Sequence, residues 1–227
     1  MAIETCSSNG FSSIKPQPSW NTVYLIGGGP SLRGFDLQRL RACVTVAVND
    51  AILHAPWATA LFSLDMNWMN RRREQIEQFA GLRYLAIPAV HTDNLQLEWT
   101  SDEVLWLRRV SGVPGLSTSS DTIYAGGGNS GFGALNLAYL MQVPRIVLLG
   151  YDLRNSGQHW HEGYTWRGCS NEKMYQNWAR MMDRAAPQLR ARGVEVFNAS
   201  PTSNLTEYPV VSLESIPLEE PSCAAAN

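Results

Sequence analysis

The chain has 227 residues, a formal net charge of −2 and 44% apolar residues. That length and apolar content suit one large α/β domain with a real core, and the slight negative charge argues against a broad nucleic-acid surface. The four cysteines, Cys6, Cys43, Cys169 and Cys223, are widely spaced with no C-x-x-C pair, so neither a disulfide framework nor a zinc ribbon is expected and reduced cytoplasmic thiols are the simplest reading.

The opening MAIETCSSNGFSS has no basic n-region and no apolar core, so it does not read as a signal peptide. No apolar run approaches the roughly 20 residues of a membrane span. Residues 1–20, rich in Ser and Pro, read as a flexible arm. Residues 21–213 read as one domain, and residues 214–227, acidic and ending in alanines, as a disordered tail.

The first strong element is TVYLIGGGPSL, Thr22–Leu32. Val23–Ile26 is a buried strand by its apolar, β-rich run. Gly27, Gly28 and Gly29 allow a tight turn and leave room for a ligand against the main chain. Pro30 and Ser31 suit the opening of a helical turn. Free backbone N–H groups and a partial positive charge then meet at one point, an anion site that most often takes phosphate. A plain tight turn is the alternative. Phe35–Leu40 reads as a short helix, and Cys43–Val48 as a second strand ending in Asn49-Asp50. Ala60–Leu64 is a third strand, ending in Asp65. Met66–Phe79 reads as one amphipathic helix with Trp68, Ile76 and Phe79 inward. Arg83–Ile87 is a fourth strand and Val104–Val110 a further one. Arg71–Arg73 reads as a solvated helix face, and Arg108–Arg109 as a local anion patch or a solvated pair.

Polar turns lead to GGGNSG, Gly126–Gly131, and an apolar helix FGALNLAYLMQV. Asn129 or Ser130 can cap that helix. Gly131 and Gly133 inside its first turns cost about 1 kcal/mol each relative to Ala, so either a ligand or a packed sheet must approach there. Arg145–Leu149 is a strand followed by Gly150-Tyr151-Asp152. Residues 153–170 form a loop, Asn171–Arg192 a long amphipathic helix stopped by Gly193, and Val194–Phe197 a last strand.

Strands alternating with helices give a single Rossmann-like α/β domain with a mostly parallel sheet flanked by helices. Such sheets bind ligands at the carboxyl ends of their strands, where Gly27–Ser31, Asn49-Asp50, Asp65 and Tyr151-Asp152 fall. His159-Trp160-His161-Glu162 places two histidines on one side if extended. One could serve as a general base, the pair could bind a divalent metal with Asp152 or Glu162, or both could be ordinary loop residues. Neither G-x-S-x-G nor H-E-x-x-H occurs, which gives serine-hydrolase and zincin chemistry little support.

LIGGGPSLRGFDLQRL resembles the nucleotide-binding opening of the bacterial sialyltransferases that use CMP-sialic acid. NSGFGALNLAYLMQVPRIVLLGYDL resembles their second signature, and VEVFNASPTSNL is similar to their last strand and Pro-x-Ser-x-Leu turn. The same opening occurs in the archaeal-type 6-hydroxymethylpterin pyrophosphokinases, and small phage-type relatives share the wider pattern. The resemblance implies a nucleotide-dependent transferase, foremost a glycosyltransferase with a nucleotide-sugar donor. It implies that Gly27, Gly28, Gly29, Pro30 and Ser31 contact phosphate and ribose, and that Asn49 contacts nucleotide or donor. Asn129, Ser130 and Gly131 would meet the donor, Gly150 and Asp152 the base and ribose end. Asn198, Pro201 and Ser203 would close the pocket, and His159 or His161 would act as base beside Asp152. The alternatives are a magnesium-dependent pyrophosphokinase, with Mg2+ held by Asp65 and Asp152, and a non-catalytic nucleotide-binding protein. The partner expected is a small nucleotide ligand. The acceptor stays open, a modified DNA base included, as does a homo-oligomer.

Overall fold

The computed structural model describes residues 10–88, 97–154 and 171–215. Eight strands form one sheet: β1 (Thr22–Ile26), β2 (Thr45–Val48), β3 (Ala60–Ser63), β4 (Leu82–Pro88), β5 (Leu105–Val110), β6 (Thr122–Tyr124), β7 (Arg145–Leu149) and β8 (Glu195–Asn198). Their order is β6-β5-β4-β3-β2-β1-β7-β8. Every pairing between these strands is parallel, where the sequence suggested a mostly parallel sheet. Among the described residues four α-helices accompany it: α1 (Met66–Arg71), α2 (Arg73–Gln78), α3 (Ser130–Leu140) and α4 (Glu172–Ala191).

The central strands are apolar without alternation because both sheet faces are covered. Every residue of β1, β2 and β3 is buried. On one face Val23, Leu25, Val46, Phe62 and Leu148 pack with residues of α3 and α4. On the other, Tyr24, Ile26, Ala47, Leu61 and Leu149 pack with Leu37, Leu40, Trp68, Ile76 and Phe79. Helix α3 is buried at every position from Phe132 to Leu140. The polar residue in its middle, Asn136, is satisfied: its carboxamide oxygen accepts from the Ser117 and Tyr124 amides at 3.0 Å each, and its Nδ2 donates to the Ser117 carbonyl at 3.2 Å.

The position of the site follows from the connections. After β1 the chain crosses to the face that holds Leu37 and Leu40, whereas after β7 it returns through α4 on the opposite face. Neighbouring parallel strands whose chains depart to opposite faces leave a crevice at their carboxyl ends. Here that point lies between β1 and β7.

Several sequence expectations change. The helix expected over Met66–Phe79 is two helices, broken at Arg72, whose φ is −110° and ψ 18°. Arg72 Nε and Trp68 Nε1 both donate to Asp50 Oδ1, at 2.9 and 2.8 Å, so a tertiary anchor sits at the break. Strand β6, only three residues long, lies among turns that carried no strand pattern. The loose arm expected over residues 1–20 does not hold for residues 10–20. Phe11, Ile14 and Trp20 are buried. The amides of Ser12, Ile14 and Gln17 donate to the carbonyls of Trp106, Ser120 and Met141 at 2.7–2.8 Å. The Arg108 guanidinium stacks 4.8 Å from the centre of the Phe11 ring. Residues 1–9 and most of the expected tail lie outside the described residues. No described helix is long and apolar enough to cross a membrane.

Candidate functional site

The Gly27–Ser31 turn is laced onto the end of β7. Gly27 N–H donates to the Leu149 carbonyl and Gly29 N–H to the Gly150 carbonyl, both at 2.7 Å. Asp152, 1% exposed, completes the join. Its carboxylate accepts from Ser31 N–H at 3.2 and 3.3 Å, from Ser31 Oγ at 2.7 Å and from Thr202 Oγ1 at 2.9 Å. The amide of Ser31, expected to face a ligand anion, is therefore met by an anion of the chain itself. Two of the glycines answer to this closeness. A Cβ on Gly27 would lie 2.8 Å from the Gly150 carbonyl oxygen, and one on Gly29 2.6 Å from the same atom. Gly28 is different: it is half-buried, and its N–H takes no hydrogen bond among the described residues.

Asn49 follows the neighbouring strand: β1 and β2 pair as far as Ile26 with Ala47, and Gly28 and Asn49 each come just beyond those carboxyl ends. Asn49 has φ of 53°, in the left-handed region that few side chains adopt. Its carboxamide oxygen is buried with no hydrogen-bond partner among the described residues. Asn adopts this region more readily than most side chains, but a buried acceptor left unmet costs about 1–3 kcal/mol. Asp50, the next residue, is fully engaged by Trp68 and Arg72 and belongs to the core.

Asp65 caps α1, accepting from the Trp68 amide at 3.0 Å. It stands at the end of β3, with β2 and β1 between it and β7. At about 4.8 Å per strand spacing, Asp65 and Asp152 are separated by roughly 14 Å. Magnesium binds oxygen at about 2.1 Å, so one ion cannot bridge them. The expected Asp65–Asp152 metal pair is thus not assembled, and among the described residues no group of three or more His, Cys, Asp or Glu could hold a metal.

The second glycine run precedes α3. Gly126, Gly127 and Gly128 have φ of 51°, 78° and 87°. Asn129 caps the helix, its Oδ1 accepting from the Gly131 amide at 2.7 Å and the Phe132 amide at 3.2 Å. Ser130, 7% exposed, accepts through Oγ from the Leu64 amide at 3.3 Å, tying the helix start to the end of β3. A Cβ on Gly133 would meet the Phe62 ring at 2.6 Å, and one on Gly131 the Tyr151 ring at 2.9 Å. Close packing therefore accounts for both helical glycines.

Other expected residues are placed as follows. Gly150 turns the chain after β7 with φ of 68°. Ser203 donates to the Tyr151 carbonyl at 2.6 Å and accepts from the Leu205 amide at 3.1 Å. Asn198 is fully buried, its Oδ1 accepting from the Ser200 amide at 3.0 Å. Pro30 opens a 3-10 turn, and Pro201 is exposed. His159, His161 and Glu162 lie outside the described residues. The chain enters their segment after Arg154, at the carboxyl end of β7, and leaves it at Asn171, the cap of α4.

Arg109 at the end of β5 is a residue whose place at this edge the sequence left undecided. Its Nη1 donates to the Leu64 carbonyl at 2.6 Å, so Leu64 is held by Ser130 through its amide and by Arg109 through its oxygen. Burial holds the Arg109 guanidinium below its ordinary range, while the charge of Asp65 opposes that shift. The pair Arg108–Arg109 was the signal. Strand alternation sends one arginine to the Phe11 ring and the other to the carboxyl edge.

No protein-family profile matches the chain, and no curated protein does. Among solved structures, the chain is similar to the sialyltransferase CstII from Campylobacter jejuni. With cytidine-5'-monophosphate bound, that enzyme aligns at a TM-score of 0.46 and 11% identity, covering 85% of each chain. With CMP-3FNeuAc bound it aligns at 0.48 and 11%, covering 85% of this chain and 86% of the other.

Proposed function

We propose that the protein is a nucleotide-dependent transferase that uses a nucleotide-sugar donor bound at the carboxyl edge between β1 and β7. The observation that carries this is two unmet groups beyond neighbouring strand ends, the Gly28 N–H after β1 at the switch point and the buried Asn49 carboxamide oxygen after β2, neither with a hydrogen-bond partner among the described residues. A phosphate oxygen accepts from an amide such as that of Gly28, and a ribose hydroxyl donates to a carboxamide oxygen such as that of Asn49. A nucleotide offers both groups. The motif resemblance of residues 25–40 and 129–153 points to the same ligand class.

In the reaction, an acceptor hydroxyl attacks the anomeric carbon of the donor sugar. A new carbon–oxygen bond forms, the bond from that carbon to phosphate breaks, and the nucleotide departs with its electron pair. The acceptor proton passes to a base, for which His159 or His161 is the candidate. Asp152 serves by holding the Gly27–Ser31 turn, and Ser130 and Gly131 line the sugar end.

Thermal shift with CMP, UDP, CDP, GDP, ADP, ATP and UDP-sugars, each with and without magnesium, tests the reading. A ligand at a hundred times its dissociation constant stabilises the fold by about 2.7 kcal/mol. A shift with CMP or UDP that does not need magnesium supports it, and nucleotide release from a donor sugar confirms turnover. A shift without turnover on any acceptor reduces the protein to a nucleotide binder, and no shift with any nucleotide overturns the reading.

A further inference from the structure

Tyr151 sits between the two glycine-rich regions and is 3% exposed. Its backbone is clamped by the loop after β8: its amide donates to Ser200 Oγ at 2.8 Å and its carbonyl accepts from Ser203 Oγ at 2.6 Å. Its hydroxyl donates to the Gly131 carbonyl at 3.2 Å, in the first turn of α3. Its ring lies so close to both glycines that a Cβ on Gly27 would come within 3.1 Å of it and one on Gly131 within 2.9 Å. These contacts explain why glycine stands at two sites about a hundred residues apart in the chain.

We infer that Tyr151 is a positioning residue that fixes the Gly27–Ser31 turn and the start of α3 relative to each other, its ring being the wall both turns lean on and its hydroxyl the tie to Gly131. The hydroxyl suits that task. Burial pushes it well above the usual tyrosine range, so it remains a protonated donor through any physiological pH. Where the inference concerns ligands it rests on the nucleotide-sugar reading. A donor that spans both turns depends on their spacing, whereas a free nucleotide that touches only the first turn does not.

The test uses the full chain with Tyr151→Phe, which keeps the ring and removes the tie. Amide hydrogen exchange of the ligand-free protein is expected to rise at residues 130–133 and to stay unchanged at residues 27–31. Tyr151→Leu, which removes the flat wall as well, is expected to raise exchange at both. Titration with CMP- and UDP-linked sugars is expected to show donor affinity about 5- to 10-fold weaker in Tyr151→Phe, the scale of one hydrogen bond, with affinity for free CMP or UDP unchanged. Unaltered exchange at residues 130–133 overturns the inference. So does a uniform rise across the sheet, which would make Tyr151 ordinary core packing. If the wild-type chain binds no nucleotide or donor, the nucleotide reading falls, and the exchange data still decide the role of Tyr151.

Discussion

Gly27–Gly29 and Gly126–Gly128 look alike on paper: three glycines after a strand and before a helical start. The structure uses them differently. In the first run no glycine has a positive φ, and two of the three are required because the β7 turn lies within contact distance. In the second, all three glycines have left-handed φ; a Cβ on Gly126 would also run into Phe132, whereas one on Gly128 would meet nothing within 4 Å. The first run supplies room alone, and the second supplies conformation throughout, with room needed as well at Gly126. The first also holds, among its crowded members, the half-buried Gly28 donor, and an unmet side-chain acceptor follows the neighbouring strand.

That contrast can be broken by mutation. Gly29→Ala is expected to be the most damaging change, because its Cβ is driven into the Gly150 carbonyl and the Asp152 carboxylate. A loss of about 3 kcal/mol in urea unfolding, or failure to fold, is expected from overpacking against backbone. A loss under about 1 kcal/mol would mean that the two turns are not held together as described. Asp152→Ala comes next, at about 2–3 kcal/mol, since it leaves the Ser31 amide, the Ser31 hydroxyl and the Thr202 hydroxyl without their shared acceptor. Gly128→Ala should cost only about 1–2 kcal/mol, the strain of left-handed φ with no clash. A cost equal to that of Gly29→Ala would erase the distinction between room and conformation.

Asn49 gives the smallest effect on stability and the sharpest on function. Asn49→Gly relieves the left-handed strain and removes the unmet acceptor, so the apo protein should become more stable by about 0.5–1 kcal/mol. Nucleotide affinity should fall about 10-fold with loss of the carboxamide, the scale of one hydrogen bond. Calorimetric titration beside thermal unfolding reads both. A variant that is both less stable and unchanged in binding would show Asn49 to be a structural turn residue.

Much of the fold was legible because the central strands are unbroken apolar runs ending in Gly, Asn or Asp. The carboxyl-edge candidates followed from that alone. Other features depend on contacts that no local pattern carries. The capture of the Ser31 amide by Asp152 joins residues 121 apart. Arg72 ends α1 where it meets Asp50, and neither residue signals a stop. Residues 10–20 looked polar as a stretch, yet Phe11, Ile14 and Trp20 pack at spacings too irregular for a helix or strand pattern. Asn129 caps α3, one of the two caps its sequence offered, and Asp65, a metal candidate in the sequence, caps α1, a common use of Asp after a strand.

The all-parallel sheet also sets the order in which the protein can assemble. Thr22 pairs with Arg145, so joining β1 to β7 closes a loop of roughly 120 residues, at an entropic cost of about 4 kcal/mol beyond the constant term. The β1–β5 half can form over much shorter loops. Non-local parallel pairing of this kind is slow, which makes the β1–β7 seam a late event in folding. A ligand that bridges the seam would then act on the unfolding rate more than on the folding rate, slowing the escape of a chain that has already closed.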